Sequence, residues 1–421
     1  MRFAHTINVF AAVSRVRTAA GRARTIVGSA TGMPPGPFPV GVTTTQFDDH
    51  SRADPTSGGP RRLQTEIWYP AAAEAATLPP GRYSEYLGRG AIPGSIAAAE
   101  EPDAIGGYRD GLTIAQLDAE WPSRAVRDAR PHAPELWADD TLPGAKWPLV
   151  LFSHGSGAFR ASYIYFTEFL ASHGFCVVAC DHAGSSRYTQ VEGEVVKPGG
   201  ARSSRGQMER DRPADLLFLL ERMSVAAAGG DSRFAGRVDT SSCALTGMSF
   251  GGWASAQALE ALDPRVRAAI LQCPSLAMSG GAAGYPPLAA ATRANRATPT
   301  LVMLGTEDTV IGEAGNEAGR AYFDTHTGPR HLLEIKRGGH VSFTSCELYN
   351  PEYGNGIGES KSLSRPGETY TPLPIETQHE VINSYSLAFL NAHLRPGVAA
   401  SSELGANYLL KNHFGDEIVW L

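Results

Sequence analysis

The stretch Cys243-Ala-Leu-Thr-Gly-Met-Ser-Phe-Gly-Gly252 decides the fold of this chain. Its apolar beginning predicts a short buried strand, and residues 253–262 predict a helix. Between the two, Gly247-Met-Ser-Phe-Gly251 matches the G-x-S-x-G pattern of a serine nucleophile on a sharp strand-to-helix turn. Glycines suit such a turn because they accept strained backbone angles. The stretch therefore predicts Ser249 as a nucleophile; a purely structural turn is the alternative, because the chain has 46 glycines.

The bulk composition is that of an ordinary globular protein. At 421 residues, 42% hydrophobic and 19% charged, the chain is long enough for one large domain with an insertion. A net charge of -6 argues against a nucleic-acid partner, and no apolar run reaches the length of a transmembrane helix. Five cysteines without metal-type spacing indicate free thiols in a reducing compartment. We therefore expect a cytoplasmic protein, or a secreted one if residues 1–35 are a processed leader.

The chain divides into segments of different composition. Residues 1–35, rich in arginine and without acidic residues, are predicted to be disordered. One domain is predicted over 36–400, followed by a C-terminal tail over 401–421. Within the domain, residues 71–146 carry many alanines, prolines and glycines and read as an insertion, either a cap over the site or a peripheral decoration.

Continuous apolar runs alternate with helical patterns from residue 147 onwards. This arrangement is typical of a parallel sheet with helices on both faces. Two earlier runs, 40–47 and 62–69, alternate in polarity and predict an antiparallel pair at the edge of that sheet. The predicted fold class is therefore α/β, with a mostly parallel central sheet and an antiparallel N-terminal edge.

Three reactive side chains follow the ends of predicted strands in the order Ser249, Asp308, His340. The carboxyl ends of parallel strands meet at one edge of a sheet, so we expect these side chains to converge there. His340 would take the proton of the serine hydroxyl, and Asp308 would orient the imidazole and stabilise its charged form. Glu307, the neighbour of Asp308, is the alternative acid.

Backbone N–H groups are expected to form an oxyanion hole. Phe250 follows the nucleophile and supplies one donor, and the loop His154-Gly-Ser-Gly157 supplies the other, from Ser156. His154 itself is interpreted as a residue that orients this loop. His182 is expected to make structural hydrogen bonds, and Asp215 to cap a helix or pair at the surface.

The motifs resemble a known family. Phe152-Ser-His-Gly-Ser-Gly-Ala-Phe159, Ala171-Ser-His-Gly-Phe175 and Gly247-Met-Ser-Phe-Gly-Gly252 are similar to the α/β-hydrolases that include platelet-activating factor acetylhydrolases and dienelactone-hydrolase-like bacterial esterases. The resemblance covers roughly residues 147–395. It implies a metal-independent serine hydrolase of carboxylic esters, often with a preference for short acyl groups.

One departure from this family concerns the acid. The animal acetylhydrolases take it from the strand end where this chain has Gln272-Cys273-Pro274, whereas Asp308 lies one strand later, as in bacterial cutinases and polyester hydrolases. Dienelactone hydrolases proper use a cysteine nucleophile, so the serine at 249 argues against that activity.

The leading hypothesis is a serine carboxylesterase that acts on small or short-acyl esters. The alternatives are a polyester or aromatic-ester hydrolase and, in another class, a hydrolase-fold binding protein without catalysis. Phe159 and Trp253 are candidate substrate-binding residues, and packing is the other reading of both. No cofactor or metal is expected, and the expected partner is a small-molecule or polymer ester.

Overall fold

The computed structural model describes residues 32–54, 58–83, 85–86, 123–133, 146–186, 189–191, 194–196, 204–277, 297–345, 359–395 and 404–421. Residues 1–31 of the predicted disordered segment 1–35, and most of the proposed cap over 71–146, lie outside these ranges. Cys346 also lies outside them.

A ten-stranded sheet organises the described residues. Its strands are β1 (Val40–Ala53), β2 (Pro60–Pro70), β3 (Val126–Arg127), β4 (Trp147–Ser153), β5 (Cys176–Cys180), β8 (Val238–Met248), β9 (Val266–Gln272), β10 (Thr300–Gly305), β11 (Arg330–Ile335) and β14 (Ile418–Trp420). Their order in the sheet is β14-β11-β10-β9-β8-β4-β5-β2-β1-β3. The six strands from β11 to β5 run parallel to one another. Two small hairpins lie outside the sheet: β6 (Thr189–Val191) with β7 (Glu194–Val196), and β12 (Ser360–Lys361) with β13 (Thr369–Tyr370).

Helices cover both faces of the sheet. They are α1 (Ile164–Ser172), α2 (Arg205–Val225), α3 (Phe250–Ala258), α4 (Gly312–Asp324) and α5 (Ile375–Leu394). One core cluster joins α1 and α5 to the sheet, and the other joins α2, α3 and α4 to the opposite face. Successive β4 residues divide between the two clusters, Val150 in one and Leu151 in the other, because side chains alternate along a strand. The strands are therefore buried on both sides, as their unbroken apolar sequences predict.

The antiparallel N-terminal edge is also confirmed. β1 pairs with β2 from Val40 opposite Pro70 to Asp49 opposite Arg61, and β2 pairs antiparallel with β5. The short strand β3, which comes from the predicted insertion, adds to the outer side of β1.

The C-terminal segment differs from the predicted tail. β14 pairs antiparallel with β11 at the other edge of the sheet, with Ile418 opposite Ile335. The Trp420 ring stacks on His331 at 4.7 Å between ring centroids, so the segment shares in the packing of the domain. Its pattern is short and preceded by polar residues, and only pairing with an exposed strand edge gives it structure.

Candidate active site

Ser249 lies at the turn between β8 and α3. Its backbone angles are φ 56° and ψ -118°, a strained combination for a residue with a side chain. The turn is held by the Ser249 N–H, which donates to the Gln272 carbonyl at the end of β9 at 2.8 Å. The serine is 9% exposed. The local backbone thus holds the hydroxyl at the carboxyl edge of the sheet, where the sequence placed it.

The two glycines of the motif permit close backbone contacts. A Cβ added at Gly251 would lie 1.9 Å from the Ser153 carbonyl oxygen, and one at Gly247 would lie 2.4 Å from the Gly251 carbonyl oxygen. No larger residue fits at either position without displacement of β4 or α3. These approaches explain why the pattern requires glycine on both sides of the serine.

Asp308 and His340 are paired beside this turn. Asp308 follows β10 and His340 follows β11, and His340 Nδ1 donates to Asp308 Oδ2 at 2.6 Å. The other carboxylate oxygen accepts the N–H groups of Val310 at 2.9 Å and Ile311 at 3.0 Å. With its proton on Nδ1, the imidazole has Nε2 free to accept a proton. Between the described residues Ser249 and His340 no hydrogen bond forms.

Glu307, the alternative acid, has a different environment. Its carboxylate accepts from the Ser362 hydroxyl and, at 3.3 Å, from the Ser364 N–H, in the segment before β13. Burial alone would raise the pKa of Glu307, but the hydrogen bonds from Ser364 and its neighbours lower it. The geometry therefore assigns the contact with His340 to Asp308.

Cys273 is a site residue that the sequence reasoning did not identify as one. Its sulfur, an Asp308 carboxylate oxygen and a His340 ring nitrogen all lie within 4.8 Å of one another. Burial and the Asp308 charge raise the pKa of the Cys273 thiol well above its usual value, so it stays protonated and donates to Asp308. Its φ of 40° is another strained angle. The three ligand types would suit zinc, but the carboxylate is already occupied by hydrogen bonds. Its place directly after β9 is the signal that could have indicated it.

The loop after β4 supplies a candidate for the second oxyanion donor. The N–H of Gly155 donates to the Tyr163 hydroxyl at 3.0 Å, and the N–H groups of Gly157 and Ala158 donate to the Ser185 and Gly155 carbonyls at 3.3 Å. No described residue accepts from the N–H of Ser156, which is exposed. The other candidate donor, the N–H of Phe250, belongs to the first residue of α3, where a helix leaves its N–H groups unpaired.

His154 has the orienting contacts that its position suggested. Its Nδ1 donates to the Gly155 carbonyl at 2.7 Å, and its Nε2 accepts from the Ser186 hydroxyl at 2.8 Å. Burial, with the nearby charge of Arg212, lowers the pKa of His154 well below its usual value. The ring is therefore neutral and fixed in one tautomer under the loop.

A second Ser–His–Asp chain lies below the site. The Ser153 hydroxyl donates to His182 Nε2 at 2.9 Å, and His182 Nδ1 donates to Asp215 Oδ2 at 2.8 Å. All three side chains are fully buried. The structural hydrogen bonding expected of His182 is present, whereas the prediction of a capping or surface role for Asp215 is wrong. Asp215 pairs with Arg61 on β2 through two bonds of 2.7 Å, a partner that only the folded sheet brings near.

Both candidate substrate-binding aromatics are buried in the core. Phe159 packs edge-to-face against Tyr83 at 6.4 Å, and Trp253 stacks on Phe250 at 5.3 Å. Neither ring is exposed. The packing interpretation accounts for both, and a contact with substrate stays a prediction.

None of the described helices combines the length and the apolar character that a transmembrane span requires.

Comparison with known sequences finds similar proteins of one kind. The pattern of the family "Platelet-activating factor acetylhydrolase, isoform II" matches residues 124–196, which include the loop after β4 but end before Ser249. A platelet-activating factor acetylhydrolase of Bos taurus is 47% identical over 69 residues, 16% of this chain and 16% of its own length. That of Gallus gallus is 24% identical over 287 residues, 60% of this chain and 63% of its own length. The chain thus spans less than two thirds of these curated relatives.

A solved structure extends the likeness to most of the fold. A ferulic acid esterase from Streptomyces cinnamoneus superposes with a TM-score of 0.59 at 25% identity, over 86% of this chain and 92% of its own. The predicted α/β-hydrolase fold and the predicted resemblance are both confirmed. The sheet, the family match and these relatives together show that the chain has the α/β-hydrolase fold and resembles platelet-activating factor acetylhydrolases and a ferulic acid esterase.

Proposed function

We propose that this protein is a serine hydrolase of carboxylic esters that works through an acyl-enzyme and acts on small or short-acyl substrates. The observation that carries the proposal is the 2.6 Å Asp308–His340 hydrogen bond at the same sheet edge as the strained Ser249 turn. Acyl transfer needs a base whose Nδ1 proton is fixed, a nucleophile at a helix N-terminus and unpaired backbone N–H donors.

The first half-reaction forms the acyl-enzyme. Ser249 Oγ attacks the ester carbonyl while His340 Nε2 takes its proton, and Asp308 stabilises the resulting imidazolium. The carbonyl oxygen becomes negatively charged and is bound by the N–H groups of Phe250 and Ser156. The tetrahedral intermediate then collapses, the imidazolium gives its proton to the leaving alkoxide, and the alcohol departs.

The second half-reaction releases the acid. His340 takes a proton from water, whose oxygen attacks the acyl carbonyl, and the same backbone donors bind the second oxyanion. Collapse returns the proton to Ser249 Oγ. No redox step and no co-reactant other than water is involved.

A second candidate is an aromatic-ester or polyester hydrolase. The ferulic acid esterase from Streptomyces cinnamoneus, similar over 86% of this chain, favours it by analogy. The position of the acid at Asp308, after β10, is compatible with either candidate. The two differ in the acyl side of the substrate and share the mechanism above.

The test is hydrolysis of p-nitrophenyl esters from acetate to decanoate, beside methyl ferulate and a polyester film, by the wild type and by Ser249→Ala. We expect kcat/KM to be highest for the shortest acyl groups and to fall steeply with chain length. A preference for methyl ferulate, or release of soluble products from the film, would favour the second candidate.

Labelling with a fluorophosphonate probe separates catalysis from simple binding. The wild type is expected to be labelled at Ser249 and the Ser249→Ala variant to be unlabelled. No labelling of the folded wild type, or equal labelling of the variant, would reject a serine hydrolase and leave a non-catalytic binding protein.

A further inference from the structure

Arg212 contacts both parts of the candidate oxyanion hole, the loop after β4 and Phe250, although it belongs to none of the sequence motifs. It lies on α2 and is completely buried. Its guanidinium donates to the carbonyl oxygens of His154, through Nη1, and of Gly155, at 3.4 Å from Nη2. The hydroxyl of Ser185 receives two further bonds from it, at 3.1 Å from Nε and 2.6 Å from Nη2.

The contact with Gly155 bears directly on the donor at Ser156. The carbonyl of Gly155 and the N–H of Ser156 belong to one planar peptide unit, in which C=O and N–H point in opposite directions. Arg212 and His154 Nδ1 both hold that carbonyl, the latter at 2.7 Å. A group that fixes the carbonyl therefore fixes the direction of the N–H. A cation on the carbonyl also polarises the peptide and makes its N–H a stronger donor.

The same guanidinium lies against the residue that supplies the other donor. The central carbon of Arg212 is 4.6 Å from the centroid of the Phe250 ring, and that of Arg205 is 4.7 Å from it. These cation–π contacts, with the stacking of Trp253, hold the side chain of Phe250 at the start of α3. One residue thus links the loop after β4 to the first turn of α3.

The electrostatic environment of Arg212 is unusual for an arginine. Its hydrogen-bond acceptors are the neutral oxygens named above, and burial lowers its pKa to about 9. Burying a charge on neutral partners is unfavourable for folding. A positive charge behind the oxyanion donors, however, would favour the negative charge that develops during acyl transfer.

We propose that Arg212 is the positioning residue of the oxyanion hole, holding the Ser156 and Phe250 N–H groups in the geometry that binds the tetrahedral intermediate. This inference rests on the proposed esterase function and adds a determinant of its rate. Because Arg212 acts on groups that matter mainly in the transition state, its loss should lower kcat more than it raises KM.

Arg395 offers a matched control. It is also buried, donates to the carbonyls of His173, at 2.9 Å, and of Gly174, and lies 4.0 Å from the Phe175 ring. Burial lowers its pKa to about 9 as well. Its partners precede β5, however, and so lie at the amino edge of the parallel strands, opposite the site. It has the same local chemistry without contact to the oxyanion hole.

The experiment compares Arg212→Lys with Arg395→Lys on p-nitrophenyl acetate and on a trifluoromethyl ketone, which mimics the tetrahedral intermediate. For Arg212→Lys we expect kcat to fall about 10- to 100-fold with KM within about 3-fold, and the inhibition constant of the ketone to rise by a similar factor. Arg395→Lys should lower the melting temperature comparably and leave kcat and the ketone constant within about 3-fold of wild type.

Several outcomes would overturn the inference. The inference fails if a folded Arg212→Lys protein keeps the wild-type kcat and ketone affinity. It also fails if Arg212→Lys and Arg395→Lys lose kcat and ketone affinity equally. If Arg212→Lys does not fold, Ser185→Ala decides, because it keeps the charge but frees the guanidinium on one side. It should lower kcat about 3- to 10-fold, and an unchanged kcat there would reject the role. A folded wild type without esterase activity or fluorophosphonate labelling would instead reject the proposed function itself.

Discussion

Two Ser–His–Asp sets lie within this domain, and they differ in exposure, in backbone strain and in the hydrogen bond between serine and histidine. In the candidate active site, Ser249 has a strained backbone and is 9% exposed, and His340 bonds to Asp308 without a bond to the serine. In the buried chain, both hydrogen bonds are closed, at 2.9 and 2.8 Å, and none of the three side chains is exposed.

The electrostatics of the buried chain oppose catalysis. Burial would raise the pKa of Asp215, but the charge and hydrogen bonds of Arg61 outweigh it and keep the pKa far below the usual range. Burial and the charge of Arg212 lower the pKa of His182 to about 4, although Asp215 acts in the other direction. A histidine with so low a pKa, and with its Nε2 already occupied by Ser153, has neither the basicity nor the access to serve a substrate.

Exposure, backbone geometry and unpaired N–H groups separate the candidate active site from the buried chain. Residue types are the same in both sets, and in both the histidine Nδ1 donates to the aspartate. The candidate site adds a serine that keeps 9% exposure, a strained backbone turn at that serine and unpaired N–H groups beside it. The buried chain instead joins β4, the loop after β5, helix α2 and strand β2.

The largest expected effect separates the two serines. Ser249→Ala should lower kcat by about four to six orders of magnitude, because it removes the nucleophile. Ser153→Ala should keep kcat within about 5-fold and lower the free energy of unfolding by about 1–3 kcal/mol, because His182 Nε2 loses its donor. Kinetics on p-nitrophenyl acetate and urea unfolding of both variants measure this. A folded Ser153→Ala protein without activity would contradict the distinction.

The acid should show the next largest effect. Asp308→Asn should lower kcat by about 10⁴-fold, because an amide no longer selects the right tautomer of His340. Glu307→Gln is the matched control, since its carboxylate binds the 362–364 segment, and its kcat should stay within about 5-fold of wild type. Steady-state kinetics at saturating substrate measure both. Exchange of the two results would assign the acid to Glu307.

A third prediction concerns the acid of the buried chain. Asp215→Asn should lower the free energy of unfolding by about 3–5 kcal/mol, because it leaves the buried charge of Arg61 without its main partner. The control is Asp263→Asn, which breaks the partly exposed pair with Arg265 and should lower stability by about 1 kcal/mol or less. Urea unfolding monitored by tryptophan fluorescence gives both values. Equal losses would show that burial does not strengthen the Asp215 pair.

The smallest effect is a pH dependence of stability. In the folded protein the pKa of His182 is about 4, lowered by burial and by Arg212, whereas an unfolded histidine has a pKa of about 6.5. Between these values the unfolded chain binds more protons, so the free energy of unfolding should fall as the pH drops from about 6.5 to about 4. His173 and His393, whose pKa values burial also lowers to about 4, add to the slope.

The variant His182→Gln removes one of these contributions. Its stability should therefore vary less with pH over that window than the wild type's, by up to about 1.4 kcal/mol per pH unit. Urea unfolding at three pH values between 4 and 7 measures the slopes. The same slope in both proteins would show that folding does not lower the pKa of His182.

The sequence predicted the fold, and the meeting of Asp308 with His340 at one sheet edge, for identifiable reasons. The apolar runs of β4, β5, β8, β9, β10 and β11 are continuous because both faces are buried, and they alternate with helices. Ser249, Asp308 and His340 each follow such a run. The edge strand β14 was not predicted because three residues carry too little pattern.

By itself, the sequence determined Ser249 as the turn residue, because glycines at 247 and 251 are the only residues that allow the backbone approaches to β4 and α3. It determined that Asp308 and His340 lie at one sheet edge, because parallel strands end together. Only the tertiary structure decided between Asp308 and Glu307, placed Cys273 beside the dyad and buried Asp215 and Arg212. The physical reason is that those choices depend on partners far apart in the chain, which no local pattern records.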